Sequence, residues 1–189
     1  MTTRRLSQAI AEGAGISLLL EVGSRSPQDA AALGAEGLVV RSGIAVAGET
    51  ELPVLAYASG PDEAAAAGAD AVVVAASTED DDLLAAAERA AELGIELVVR
   101  ADDEDDVARV LESLDPEIFL LAAAEPDGDE GHLAQLLDLL PDVPAGKLAI
   151  AELVEATREE IEELERAGID AVVVAGDLAE LSGDSVPDV

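Results

Sequence analysis

The chain has 189 residues and carries 42 Asp plus Glu against 10 Lys plus Arg, a formal charge of −32. A polyanion of this kind cannot release counterions from phosphates, which argues against sequence-independent nucleic-acid binding, and it has no basic amphipathic stretch for an anionic membrane. No apolar run reaches the roughly 18 residues of a spanning helix, and the absence of cysteine excludes a disulfide frame, a thiolate nucleophile and a cysteine metal site.

The charge does not imply disorder, because 50% of the residues are hydrophobic. The apolar set is Ala, Val and Leu, with one Phe, one Tyr and no Trp. GC-rich coding accounts for part of this bias. It does not account for the acidity, since arginine codons are also GC-rich and arginine is scarce. Selection for solubility in high salt is the second cause considered, because salt screens the repulsion of dense carboxylates. An acidic protein from an ordinary GC-rich bacterium is the alternative.

In chain order, Met1-Thr2-Thr3-Arg4-Arg5 leads into Leu6-Ser7-Gln8 rather than an apolar export core, so a cytoplasmic protein is expected. Candidate strands follow at Ser17–Val22, Gly37–Val40, Val54–Tyr57, Ala71–Ala75, Glu96–Val99, Ile118–Ala122, Leu148–Ala151 and Ala171–Ala175. Most are continuous apolar runs, the pattern of parallel strands buried on both faces.

Helix signals lie between them. Ser26-Pro27 pairs an N-cap with proline at the first helical position. Thr78 to Asp81 and Thr157 to Glu160 have capping-box spacing. Val107, Val110, Leu111 and Leu114 form one apolar stripe, and Ile161 and Leu164 another. Leu133, Leu136, Leu137 and Leu140 have helical core spacing. Gly34, Gly68, Gly94 and Gly168 each stand where a helix should stop.

A repeat runs through the chain: Leu33-Gly34-Ala35-Glu36-Gly37, Ala67-Gly68-Ala69-Asp70-Ala71 and Ala167-Gly168-Ile169-Asp170-Ala171, each followed by an apolar strand. Repeated β-loop-α units build a doubly wound sheet or a closed barrel. Eight strands favour a compact (βα)8 barrel as a single domain over residues 1–189. Arg41–Pro53 and the tail after Ala175 are short of helix, so one or two helices are expected to be missing. An open flavodoxin-like sheet is the alternative.

The order of segments resembles the indole-3-glycerol phosphate synthase family of tryptophan biosynthesis, (βα)8 carbon-carbon lyases. Glu21-Val22-Gly23-Ser24-Arg25-Ser26-Pro27 resembles its first-strand segment. Leu52-Pro53-Val54-Leu55 with Gly68-Ala69-Asp70-Ala71-Val72 resembles its third and fourth strands. Glu92-Leu93-Gly94-Ile95-Glu96-Leu97-Val98 resembles the entry to its fifth, and Thr157-Arg158-Glu159 through Val174 its seventh helix and eighth strand.

The resemblance implies ring closure with lysines as acid and anchor and carboxylates as base and orienters. Carried over position by position, two glutamates survive as Glu21 and Glu152. The lysines fall on Gly23 and Tyr57, the fifth-strand glutamate on Val99, and the sixth-strand asparagine near Ala122. The two phosphate turns fall on Leu153-Val154 and Ala175-Gly176-Asp177, where a carboxylate would repel a phosphate. The only lysine, Lys147, begins the seventh strand, away from barrel chemistry.

The candidate site is therefore Glu21 and Glu152 as an acid/base pair, with Arg25, Arg41, Tyr57, Arg100 and Gly176 as ligand contacts. The opposing reading is inherited carboxylates paired with arginine or water. His132 beside Asp129 and Glu130 reads as solvated. Asp127–Gly131 fails the calcium-loop pattern, and the acid runs Glu79–Asp82 and Asp102–Asp106 read as solvated helix starts. No metal or cofactor is expected. The first reading is a divergent relative with most catalytic residues lost, which binds a small phosphorylated or carboxylated ligand or is inactive; ring closure by the family's route is expected to be absent, and whether the chain is an enzyme stays open. A non-catalytic scaffold, with an oligomeric or protein partner, is the second reading.

Overall fold

The computed structural model describes residues 5–22, 27–32, 34–41, 50–123, 131–153 and 156–174. The strands are β1 (Ser17–Glu21), β2 (Gly37–Arg41), β3 (Val54–Tyr57), β4 (Ala71–Ala75), β5 (Glu96–Ala101), β6 (Ile118–Ala122), β7 (Leu148–Leu153) and β8 (Ala171–Val174). The helices are α1 (Leu6–Ala11), α2 (Pro27–Ala32), α3 (Pro61–Ala66), α4 (Asp80–Leu93), α5 (Glu104–Ser113), α6 (His132–Leu139) and α7 (Arg158–Ala167). Each strand pairs in parallel with the next, and β8 closes on β1 through Leu19↔Val173 and its neighbours. The sheet is a closed (βα)8 barrel, so the open flavodoxin-like alternative is set aside. The segments read as lacking helices include 42–49 and 175–189, which lie outside the described residues. Among the described residues, no helix is long and apolar enough to cross a membrane.

Side-chain alternation divides the core. Leu19, Val39, Leu55, Val73, Val98, Leu120, Ile150 and Val173 pack in one interior cluster with Leu6 and Ile10 of α1. That short helix was not read from the sequence; it buries both residues against the start of the strands, at the barrel's N-terminal end. The alternate residues, among them Val99, Phe119, Leu121 and Val172, pack outward against Leu83, Val107, Val110, Leu136 and Leu164 of the helices. The apolar stripes of α5, α6 and α7 thus meet the outer face of the sheet, as their spacing predicts.

The repeat has a physical basis. Asp170 Oδ2 accepts from the Ala149 N–H at 2.8 Å, and Asp70 Oδ2 accepts from the Val54 N–H at 2.9 Å. In these two units the turn carboxylate therefore satisfies a donor in the preceding strand. Gly94 and Gly168 cap α4 and α7 at φ 74° and 104°, a region that favours glycine. Gly34 and Gly68 share that sign of φ. The Thr157–Glu160 capping box forms in full. The Thr78–Asp81 box does not: α4 starts one residue later than that spacing needs, with Glu79 as N-cap and no side-chain cap bond. Ser26 lies outside the described residues, but Pro27 does open α2.

Candidate functional site

Side-chain alternation carries the interior face of several strands on to their C-terminal ends, so a residue two positions beyond an interior one stands at the barrel mouth. Leu19 leads to Glu21, Val39 to Arg41, Leu55 to Tyr57, Val98 to Arg100, Leu120 to Ala122 and Ile150 to Glu152. Sequence carry-over placed a mouth position on Val99. That residue is fully buried and faces the helices, so Arg100 is the β5 residue at the mouth.

Glu152 is the hub. Its Oε1 accepts from Arg41 Nη2 at 2.7 Å and from the Tyr57 hydroxyl at 2.8 Å. Arg41 also donates from Nε to Glu21 Oε1 at 3.0 Å, so one guanidinium ties β1 and β7 together through β2. The Arg41 guanidinium carbon sits 4.2 Å above the Tyr57 ring centroid, a cation–π contact. The two predicted carboxylates do converge on one place. Arginine bridges them, which also agrees with the opposing reading of paired, inherited acids.

The environment shifts these groups. Burial pulls the Arg41 guanidinium down, but its hydrogen bonds to Glu152 and Glu21 outweigh that and hold it well above its usual value. Burial, then the charge of Glu152 and its hydrogen bond, push the Tyr57 phenol far up. Burial also raises the Asp102 carboxyl, against the opposing pull of Arg100.

On the far wall, Arg100 Nε lies 3.1 Å from Asp102 Oδ1 and 3.5 Å from Glu152 Oε2. These three atoms are buried, and none has a hydrogen-bond partner among the described residues. A cavity of about 370 Å³ opens here, lined by Glu21, Arg41, Arg100, Ala122, His132 and Glu152 among others.

Two residues read from sequence as solvated belong to this mouth. His132 opens α6 and lines the cavity half-buried. Asp102 contacts Arg100, and its neighbour Asp103 is the one that caps α5 by accepting from the Asp106 N–H at 2.8 Å. The acid run gave no sign of that division, because it depends on where the strand ends. Arg25, Gly176 and the segment 127–130 lie outside the described residues. Lys147 pairs with Asp115 at 2.7 Å, at the opposite end of the barrel as expected. Among the described residues, no three metal-ligating side chains cluster.

The fold and mouth define a (βα)8 barrel with a mixed-charge site at the C-terminal ends of its strands. No protein-family model matches the chain. No curated protein matches it either. Among solved structures it is similar to 3-hexulose-6-phosphate synthase from Salmonella typhimurium, with a TM-score of 0.63 and 17% identity over 88% of this chain and 97% of that one. A second 3-hexulose-6-phosphate synthase gives 0.62 and 19% over 88% and 98%. Thiamine phosphate pyrophosphorylase from Pyrococcus furiosus gives 0.61 and 14% over 85% of each chain. At these identities the likeness establishes the barrel fold and its near-complete span, and nothing finer.

Proposed function

We propose that the chain is a divergent relative of indole-3-glycerol phosphate synthase that has lost the ring-closing chemistry and binds a small anion at its barrel mouth. The carrying observation is the placement of Arg41 and Arg100 on the walls of one cavity with Glu21 and Glu152. Guanidinium groups at the C-terminal ends of barrel strands are suited to carboxylate or phosphate. The neighbours in fold are named for phosphorylated compounds, which agrees with an anionic ligand.

The loss of chemistry rests on residue types. Tyr57 and Gly23 stand where the resemblance places lysines. A phenol held far above its usual range, with its proton committed to Glu152, is a poor general acid at neutral pH. The test is a purified-protein assay with the anilino-deoxyribulose phosphate substrate at high salt. No turnover is expected; turnover at a family-like rate would overturn the reading. Calorimetry with phosphate and propionate tests the binding half.

A second reading, a non-catalytic scaffold, is favoured by one observation: Arg41 is already neutralised by two carboxylates. It holds if neither anion binds.

A further inference from the structure

Helix α1 is not held by its own sequence. It has six residues, Leu6–Ala11, and a helix shorter than roughly 12–15 residues is marginal alone in water. Its N-cap, Arg5, makes no side-chain cap bond. Tertiary contacts hold it instead. Leu6, Ala9 and Ile10 are buried, and Leu6 and Ile10 join the interior cluster at the floor of the barrel. The first turn is closed from outside: Glu96, which begins β5, accepts from the Ser7 N–H through Oε2 at 3.1 Å and from the Ser7 hydroxyl through Oε1. A residue 89 positions away thus takes the place of an N-cap side chain.

The other flank of the helix is open. Ser7, Gln8 and Ala11 face a groove of about 610 Å³, whose far wall is Glu117 and Ala145–Leu148. Gln8 and Ala11 are exposed. So α1 packs along one stripe, with Glu96 as its polar anchor among the described residues of the barrel. That anchor has a cost at the floor. Burial raises the Asp70 carboxyl, its bond from the Val54 N–H opposes the rise, and the charge of Glu96 adds to it. The carboxylate that holds α1 therefore repels a neighbour in the turn before β4. Opening α1 by itself would return the conformational entropy of its residues and leave the strand ladder closed. Segments with few buried contacts and few anchors open below the free energy of global unfolding.

We propose that α1 is a releasable plug in the floor of the barrel, latched by Glu96 through Ser7, and that it opens as a unit while the barrel stays folded. Release bares the apolar floor packed beneath Leu6 and Ile10 to the adjoining groove. The device sits at the N-terminal end of the strands, opposite the mouth, and does not depend on what the mouth binds.

The test is hydrogen–deuterium exchange of the full chain, read residue by residue by NMR under native conditions. The amides of Ala9, Glu12 and Gly13, bonded to carbonyls of Arg5–Ile10, should exchange faster than those of Leu120 in β6 and Ile150 in β7. Glu96→Ala should speed the α1 amides about tenfold, the scale of a hydrogen bond to a charged group. It should leave Leu120 and Ile150 protected, because losing the Glu96 charge also relieves Asp70. Ser7→Ala removes the hydroxyl and keeps the N–H, so it should speed the same amides by a smaller factor; it carries the test if Glu96→Ala fails to fold. Equal protection of α1 and the strands in the native chain would overturn the plug, since α1 would then open only with the whole barrel. Faster exchange throughout the barrel in the variants would also overturn it, and unchanged α1 exchange in both would overturn the latch.

Discussion

Arg41 and Glu152 stand 111 positions apart in the chain, and their side chains meet at 2.7 Å across the mouth of the barrel. The contact exists only because the sheet closes, since β2 and β7 share no edge. Arg41 is 46% exposed and Glu152 12%, so solvent screens the pair and its isolated worth is about 1 kcal/mol or less. Arg41→Ala should therefore cost about 1 kcal/mol in urea denaturation, with Glu152 keeping Tyr57 as its donor. Combined with Glu152→Gln, the two changes should be non-additive by at least about 0.5 kcal/mol. Strict additivity would show that the bridge contributes nothing to stability.

The barrel was legible in the sequence and the mouth only partly, for one reason. Candidate strands were ended where the apolar runs end, at Val40, Val99 and Ala151. The ladder runs further, to Arg41, Ala101 and Leu153. The extra residues include Arg41, Arg100 and Glu152, which are polar because they face the mouth. A site built on strand ends thus removes the signal that would mark the strand. Glu21 and Tyr57 fall inside the predicted strands because an apolar neighbour extends the run past or up to them. Leu6 and Ile10 offer too short a period to mark helix α1 in the sequence, and their burial is created by the open N-terminal end of the barrel.

Tyr57 gives a direct optical test of the mouth. It is the only tyrosine and the chain has no tryptophan, so tyrosinate absorbance reports this residue alone. An unfolded tyrosine ionises near pH 10. In the fold, burial and the Glu152 carboxylate favour the neutral phenol. A folded pKa above the unfolded one gives a contribution that is fully present below about pH 10 and is lost as pH rises toward the folded value. The folded chain should show almost no tyrosinate at pH 11, while the chain in 8 M urea shows about nine-tenths of it. Tyr57→Phe should flatten the loss of stability above pH 10. A native midpoint near 10 would show that the phenol is not held by Glu152.

The capping box at α7 is the clearest local determinant of a helix. Thr157 Oγ1 accepts from the Glu160 N–H at 3.3 Å, and Glu160 Oε2 accepts from the Thr157 N–H at 2.8 Å. Thr157→Ala should cost about 1 kcal/mol in chemical denaturation. Glu79→Ala, at an N-cap with no side-chain cap bond, should cost less than half as much. Equal costs would mean that charge near the helix start, rather than the cap geometry, sets the stability.

Salt should stabilise the chain. Among the described residues, Arg89, Arg109, Lys147 and Arg158 are each paired with at least one carboxylate, as are the two arginines of the mouth. Those cations are committed, so the excess acids of −32 repel one another with only solvent between them. Raising salt from 0.1 to 1 M shortens the screening length from about 10 to about 3 Å, and it weakens repulsion among exposed acids more than attraction within pairs in contact. Calorimetric Tm in KCl should therefore rise across this range, each 1 kcal/mol appearing as about 2–4 °C for a chain of this size. Potassium sulfate would also act by strengthening apolar burial, so KCl is the cleaner salt for isolating charge. A Tm that falls with KCl would show that the ion pairs outweigh the repulsion, and that the acidic coat carries no adaptation to salt.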